Sequence, residues 1–562
     1  MLICGIKLTH DGAIALIDGN KMVFSYESEK LNNNKRHSVL MLGLPEINAL
    51  LSQYGYSLEM IDRLVLDGWG REWDPPTVEK NEFDIHVQLN GTSRVKLSLS
   101  GYGHLLTNED VLEANDFRLQ GTGLKYRSYR HVSGHLFSAY CTSPFAEAKA
   151  RSFVLVWDGV MPPQLFHHDP QYRQTRNLGP LFPVLGSIYT LFPHEYKPFS
   201  DGPLDPSIAG KAMAYAALGK PLPEVSSELS KILNGAIGET NRQPLNPLLV
   251  AIITKAFVTR AKAYSIRNNI APADMIASLH QFMQDLLVNT IGEQVRKFDG
   301  KDANLCFAGG CALNIKWNSA LRDAGIFNYV WVPPFPNDSG SAIGTACCEL
   351  VKSGESEVLD WNVYSGPPIA GVQKLNGAWS TTPCTLKDLA SLIHHSGEPI
   401  VFLNGRAELG PRALGNRSIL AAPSHDRTKQ FLNEIKIRED YRPVAPVCLE
   451  EDAPEIFSPG SLDPYMLFEH KVRDAWGAKT PAIRHLDGTA RLQTVTRQQN
   501  PSLYELLTQY KQLSGIPLLC NTNANHKGKG FFPDISSVVD WDRLNYIWND
   551  GCLYSKGFRD HG

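Results

Sequence analysis

At 562 residues the chain is too long for one ordinary core, so two large domains or three smaller ones are expected. Its hydrophobic fraction of 43% and charged fraction of 20% are those of a globular protein, and a net charge of −3 argues against a dedicated nucleic-acid binder while allowing a local basic pocket. No run approaches an uninterrupted membrane helix, and the amino terminus lacks the basic and apolar pattern of a signal peptide, so no membrane partner is expected.

In chain order, Ile3–Leu8, Ala13–Ile17 and Met22–Tyr26 read as strands, with Asp18-Gly19-Asn20 as a hairpin turn and Thr9-His10-Asp11-Gly12 joining the first two. From spacing alone His10-Asp11 is ordinary turn material. A neutral imidazole there also suits accepting the proton of a substrate hydroxyl. His131 and His135 stand four apart before a Leu-Phe-Ser-Ala-Tyr run that supports a helix, although Gly134 weakens it locally. On a helix the two imidazoles share one face and reach a single metal; the plainer alternative is two histidines hydrogen-bonded at a helix start.

The apolar strand Phe153–Trp157 ends in Asp158-Gly159, and Asp338 lies in Asn337-Asp338-Ser339-Gly340. Two imidazoles and two such carboxylates would suit iron, manganese or zinc. Lys211, behind Gly210, begins an apolar helix, a place that attracts anions, but the GxxxxGK[ST] pattern is absent. Leu305–Ala308 reads as a strand ending in Gly309-Gly310 and leading into a helix from Ala312. Buried strands that end in Asp-Gly or Gly-Gly, separated by helices, predict an α/β domain with ligand loops at the strand ends. Ten cysteines without a CxxC pair read as reduced structural thiols of a cytoplasmic protein.

The pattern loosens between Val351 and Ile369, which places a domain boundary there and gives domains of 1–355 and 365–562. The second reads as α/β, with strand-like Pro399–Leu403 and Ile516–Cys520, and the chain shows no internal sequence repeat. Its Glu408–Ser418 stretch, with Arg406 before it, interleaves Arg412 and Arg417 with Pro411, Gly410 and Gly415. Guanidinium forks suit oxyanions and glycines admit close backbone approach, so the stretch reads as an anion site for phosphate or carbamoyl phosphate. Lys436, Arg438, Arg442 and Arg491 add to it, and convergence on a triphosphate is a sharper reading than neutralisation by Glu408, Glu434, Glu439 and Asp440. Asn521-Thr522-Asn523 ends an apolar strand, a suitable place for amide and hydroxyl contacts to a nucleotide.

Taken together, His10-Asp11, the His131/His135 pair, Phe307–Asn314, Asn337–Gly344, Glu408–Ser418, Lys436–Pro446, Asp487–Val495 and Asn521-Thr522 resemble the NodU/CmcH carbamoyltransferases over nearly the whole chain. Those enzymes place a carbamoyl group on hydroxyls of antibiotics and other secondary metabolites. The resemblance implies an actin/hexokinase-like (ribonuclease H-like) first domain and a YrdC-like second domain. It implies that carbamoyl phosphate and ATP, with Mg(II), form carbamoyl-adenylate in the second domain, releasing phosphate and pyrophosphate. A hydroxyl of a small-molecule acceptor then attacks the carbamoyl carbon in the first domain and AMP leaves.

By the same resemblance His131, His135, Asp158 and Asp338 hold a divalent metal, Fe(II) being the one implied, and His10 is the general base. Gly309, Gly310 and Asn314, with Lys211 nearby, are nucleotide contacts. Arg406, Arg412, Arg417, Lys436, Arg438, Arg442 and Arg491 neutralise carbamoyl phosphate and ATP, with Asn521 and Lys527 beside them. A homodimer is compatible with the family. Two departures stand out. Where the family commonly has Asn-Thr-Ser-Phe-Asn-Val-Arg-Gly-Glu-Pro, this chain has Asn521 to Gly530, with Lys527 in place of the arginine; lysine keeps the charge but not the fork. The segment Met161 to Pro203 also differs, which reads as divergence of the acceptor pocket. The alternatives are carbamoyl transfer to tRNA or protein by a related enzyme, and a catalytically silent nucleotide-binding scaffold. A sugar kinase would yield ADP rather than AMP.

Overall fold

The apolar runs at the amino terminus form the strands Leu2–Lys7 (β1), Ala13–Asp18 (β2) and Lys21–Glu27 (β3). The computed structural model describes residues 1–31, 37–40, 42–68, 82–88, 92–98, 111–118, 124–240, 243–298, 303–371 and 378–557. These fall into two compact units, 1–25 with 39–361 and 26–38 with 362–562. Residues 26–38, which the sequence reading left in the first domain, cluster with the second unit. There Glu27 accepts the Gly410 N–H at 2.7 Å and the Lys30 ammonium donates to the Glu408 and Gly410 carbonyls, each at 2.7 Å.

After Arg63–Asp67 (β4) come a separate hairpin of Glu82–Gln88 (β5) and Thr92–Ser98 (β6), then Ala114–Arg118 (β7) and Lys125–Tyr129 (β8). The first sheet has the order β3-β2-β1-β4-β8-β7. Ser152–Val156 (β9), Gln164–Asp169 (β10), Gln174–Pro180 (β11), Asn304–Ala308 (β12) and Tyr329–Trp331 (β13) make a second sheet of order β11-β10-β9-β12-β13. In the first sheet β1 is antiparallel to β2 and parallel to β4, which is parallel to β8; in the second β9 is antiparallel to β10 and parallel to β12, which is parallel to β13. This twofold use of one strand order, absent from the sequence as a repeat, is the actin/hexokinase-like arrangement expected of the first unit. β1 and β9 are buried along their whole length, as strands covered on both faces must be.

Two buried helices line these sheets. His131–Cys141 packs on β9 and β12, while Ser341–Lys352 packs on β1, β2 and β4. They cross where Gly134 meets Gly344, so closely that a Cβ on Gly344 would lie 2.1 Å from the Gly134 carbonyl oxygen. Gly134 therefore serves close packing and does not break its helix. The described residues between β11 and β12 include the helices Pro223–Gly238, Pro247–Arg267 and Pro272–Lys297, each carrying proline in its first turn, where the missing N–H costs nothing. No described helix is long and apolar enough to cross a membrane.

The second unit is built on Trp379–Pro383 (β14), Ile400–Leu403 (β15), Arg417–Ala421 (β16) and Ala445–Leu449 (β17). A small sheet of Phe457–Ser458 (β18), His470–Val472 (β19) and Thr489–Ala490 (β20) follows, then Gln493–Val495 (β21), Leu518–Asn523 (β22), Tyr546–Asn549 (β23) and Cys552–Lys556 (β24). The main sheet is mixed, in the order β14-β24-β23-β15-β16-β22-β17-β21. Val401, Leu403, Ile419 and Leu518 face one core, and Ile400, Phe402, Leu420 and Leu519 face another, as strand alternation requires.

Candidate metal centre and anion site

Parallel strands deliver the first group of polar side chains. Lys7 ends β1, Asp67 ends β4, Asp158 follows β9 after one intervening residue and Gly309 follows β12 directly, so the carboxyl ends of the central strands face one place. The crossing of the two glycine-bearing helices brings His131 and His135 alongside Asp338, which lies just before Ser341–Lys352. Ligand atoms of His131, His135, Asp158 and Asp338 all lie within 4.8 Å of one another. The two Nε2 atoms are 3.0 Å apart, and Asp338 Oδ1 is 3.3 Å from that of His131 and 3.4 Å from that of His135. Bonds of about 2.1 Å to a common ion would separate its ligands by ~3.0 Å at a right angle and ~3.4 Å at the tetrahedral angle. The donor set thus fits a divalent transition metal in spacing and in chemistry.

The electrostatics favour a cation there as well. Burial alone would raise the Asp338 carboxyl, but Lys7, His131 and His10 outweigh it and hold the group well below the usual carboxylate range. Burial would lower His131; Asp67 and Asp338 outweigh it and push the imidazole up to about 10. Asp67 Oδ2 lies 2.8 Å from His131 Nδ1 and fixes the ring, the usual device for a metal-binding histidine. Lys7 Nζ, fully buried, bridges Asp67 at 3.1 Å and Asp338 at 2.9 Å. The sequence reading missed both residues. Asp67-Gly68 repeats the strand-ending signal that singled out Asp158-Gly159, and that signal was there to find.

His10 Nε2 is 3.0 Å from Asp338 Oδ2 while its side chain is 58% exposed, which puts it at the open edge of the cluster. The charge of Asp338 raises its affinity for a proton. The preceding strand and Asp11, in left-handed backbone at φ 54°, turn the chain here, and Asn337 Nδ2 donates to Asp11 Oδ2 at 3.3 Å. Gly309, at φ 90°, lies against the Trp157 carbonyl, where a Cβ would come within 2.3 Å. The Gly310 N–H donates to Asp158 Oδ1 at 2.6 Å. The helix expected from Ala312 begins instead at Ile315, after a 3-10 turn over Gly310–Leu313, because Asn314 caps it by accepting the N–H groups of Lys316 and Trp317. Asn314 Nδ2 is buried without a partner among the described residues. Lys211 does not begin its helix: Ser207–Tyr215 starts four residues earlier, so the anion-attracting terminus is not at Gly210.

In the second unit, register gathers the polar residues at one end of the sheet. Ser418 pairs with Asn523 and Ala445 with Asn521, while Val447 pairs in parallel with Gln493. The segments that enter β16, β17 and β21, carrying Arg412, Arg438, Arg442 and Arg491, thus share an end with Asn521 and Thr522 of β22. Arg438 Nη1 donates to Thr522 Oγ1 at 3.2 Å, and Arg442 faces Glu439 at 3.7 Å. Asn521 is locked by Nδ2, which donates to the Ala413 carbonyl and to Gln493 Oε1. Lys527 is exposed beyond the strand end.

Three of the expected anion ligands are committed internally. Arg417, 1% exposed, donates to the carbonyls of Asn404, Asn416, Pro367 and Gly405, and burial lowers it to about 10. Arg406 donates to the Gly366 and Ser365 carbonyls at 2.8 and 2.6 Å. Lys436, 3% exposed, donates to the carbonyl of Asn523 and to the carbonyl and side chain of Asn525. The loop's own N–H groups are used too, since one Glu408 oxygen accepts from Leu414, Asn416 and Arg417. The glycine- and arginine-rich stretch is built around a buried carboxylate, which composition could not reveal.

Comparison with known proteins adds to this geometry. Residues 2–347 match the model of the carbamoyltransferase N-terminus and residues 390–553 that of the carbamoyltransferase C-terminus. A protein of Sinorhizobium fredii called nodulation protein U is 43% identical over 569 residues, covering 99% of each chain. The 3'-hydroxymethylcephem-O-carbamoyltransferase of Streptomyces clavuligerus is 32% identical over 543 residues, covering 96% of this chain and 95% of its own. Among solved structures, full-length HypF in its phosphate- and nucleotide-bound form overlaps 62% of this chain and 55% of its own at 10% identity and a TM-score of 0.30, too slight a likeness to add to the topology. With both units matched in order and relatives aligned end to end, the chain is an enzyme of the carbamoyltransferase family.

Proposed function

We propose that the chain is an ATP-dependent O-carbamoyltransferase acting on a hydroxyl of a small secondary metabolite. The observation that carries this reading is the gathering of His131, His135, Asp158 and Asp338 within 4.8 Å, with His10 3.0 Å from Asp338 at the open edge. A relative whose name specifies O-carbamoyl transfer to a hydroxymethyl group supports the choice of oxygen.

In the second unit Arg412, Arg438, Arg442 and Arg491 bind the phosphoryl oxygens of carbamoyl phosphate and of ATP, which brings Mg(II). Carbamoyl phosphate loses phosphate to water, the carbamate oxygen attacks the α-phosphorus of ATP, and pyrophosphate leaves. Carbamate is a poor electrophile, and adenylation gives it a good leaving group. In the first unit Asn314 Nδ2 and the Gly309-Gly310 turn contact the nucleotide. A dication such as Fe(II), held by His131, His135, Asp158 and Asp338, would supply neutralisation of the leaving phosphate. His10, with its Nε2 proton donated to Asp338, keeps Nδ1 basic. That nitrogen takes the proton of the acceptor hydroxyl as its oxygen attacks the carbamoyl carbon, and AMP departs with the bonding pair.

The test supplies carbamoyl-labelled carbamoyl phosphate, ATP and a panel of small alcohols, and follows label and nucleotide together. Label on an alcohol oxygen with one AMP per transfer is the expected result. Label on tRNA or protein, or formation of ADP, would overturn the reading.

A further inference from the structure

We propose that Lys7 sets the charge of the histidine–aspartate centre so that it holds a dication and resists a trication. This rests on the metal reading above and adds a residue that the ligand set does not include. The count is short. Asp158 and Asp338 would bind the ion directly and Asp67 holds the ring of His131, which makes three negative charges. One positive charge, the Lys7 ammonium, touches two of them, at 2.9 Å from Asp338 and 3.1 Å from Asp67. A dication then brings the centre to neutrality, whereas a trication leaves one uncompensated positive charge. Lys7 and Asp67 are fully buried, so solvent screens neither. His10 and Asp11 lie at the open edge, with His10 58% exposed, and water screens them far more.

A lysine ammonium beside a metal ligand opposes metal binding in general, since it repels any cation. Its presence in a buried position therefore needs a reason beyond affinity. Repulsion grows in proportion to the ion's charge, so the same residue discriminates by valence. A Lys7 whose charge Asp67 and Asp338 cancelled, and which only pinned β1 to the turn, would make no such distinction.

The test uses the full-length protein loaded anaerobically with Fe(II). Binding by wild type that His135→Ala abolishes establishes the centre; no binding by wild type overturns the metal reading and this proposal with it. The midpoint potential of the bound iron is then measured by dithionite and ferricyanide titration, following the Fe(III) signal by electron paramagnetic resonance. Lys7→Met should favour Fe(III) over Fe(II) by on the order of 100-fold relative to wild type, a fall of about 120 mV. Asp67→Asn, which removes a negative charge and keeps an acceptor for His131, should raise the potential by a similar amount, and the double variant should return towards wild type. If Lys7→Met does not fold, Lys7→Gln, which keeps an N–H donor for Asp67 and Asp338 without the charge, carries the test with the same expected fall. Potentials that stay within about 30 mV of wild type, or move the same way in both single variants, would overturn the proposal.

Discussion

Arg412, in the loop before β16, and Arg417, the first residue of that strand, serve different ends. Arg417 is walled in and holds four backbone carbonyls, so Arg417→Met should cost about 3 kcal/mol of stability in denaturant unfolding, with Lys no substitute for the planar fork. Arg412 is only half-buried at the sheet end, and Arg412→Ala should leave unfolding within about 0.5 kcal/mol of wild type while removing phosphoryl binding. At the other centre, His10→Ala should lower transfer to the acceptor by roughly 10²- to 10⁴-fold and leave pyrophosphate release intact. The pH dependence of the metal-free protein has a definite sign. His131 is raised from 6.5 to about 10, so its stabilisation is complete below 6.5 and disappears as the pH climbs through 10. Melting temperature should therefore fall from pH 6.5 to 10 in chelator-treated protein, and fall less when the dication is bound, because the ligated imidazole is already neutral.

At the scale of elements, the glycine crossing of His131–Cys141 and Ser341–Lys352 is what lets two histidines meet Asp338. Gly344→Ala should destabilise the fold by about 3 kcal/mol through overpacking and weaken metal retention together, measurable by thermal unfolding and metal content. Much of this level was readable. The strands at the amino terminus, the Asp-Gly and Gly-Gly strand ends, and the helix carrying both histidines all follow from local pattern. The errors have physical causes. Asn314 competes for the start of its helix by capping it, which moved that start past Ala312. Gly210 carries the local signal of a helix boundary, yet glycine is tolerated within Ser207–Tyr215. Burial of Arg417 and Lys436 depends on strands and loops distant in sequence, so charge counting credited them to a ligand.

At the scale of the molecule, the two sheets of the first unit share a strand order without a recognisable sequence repeat, because pairing order is set by connection geometry and burial rather than by particular side chains. The second unit takes in residues 26–38, where Lys30 and Glu27 brace the Glu408–Gly410 backbone; local composition gave no hint of that long-range docking. The proposed chemistry divides between the units as the variants do, with Arg412 in adenylate formation and His10 in transfer. The most direct test of that division follows pyrophosphate from ATP with carbamoyl phosphate and no acceptor, in reduced, iron-loaded protein. Pyrophosphate that requires carbamoyl phosphate, persists in His10→Ala and vanishes in Arg412→Ala is the expected result. Release that ignores carbamoyl phosphate, or survives Arg412→Ala undiminished, would contradict the account.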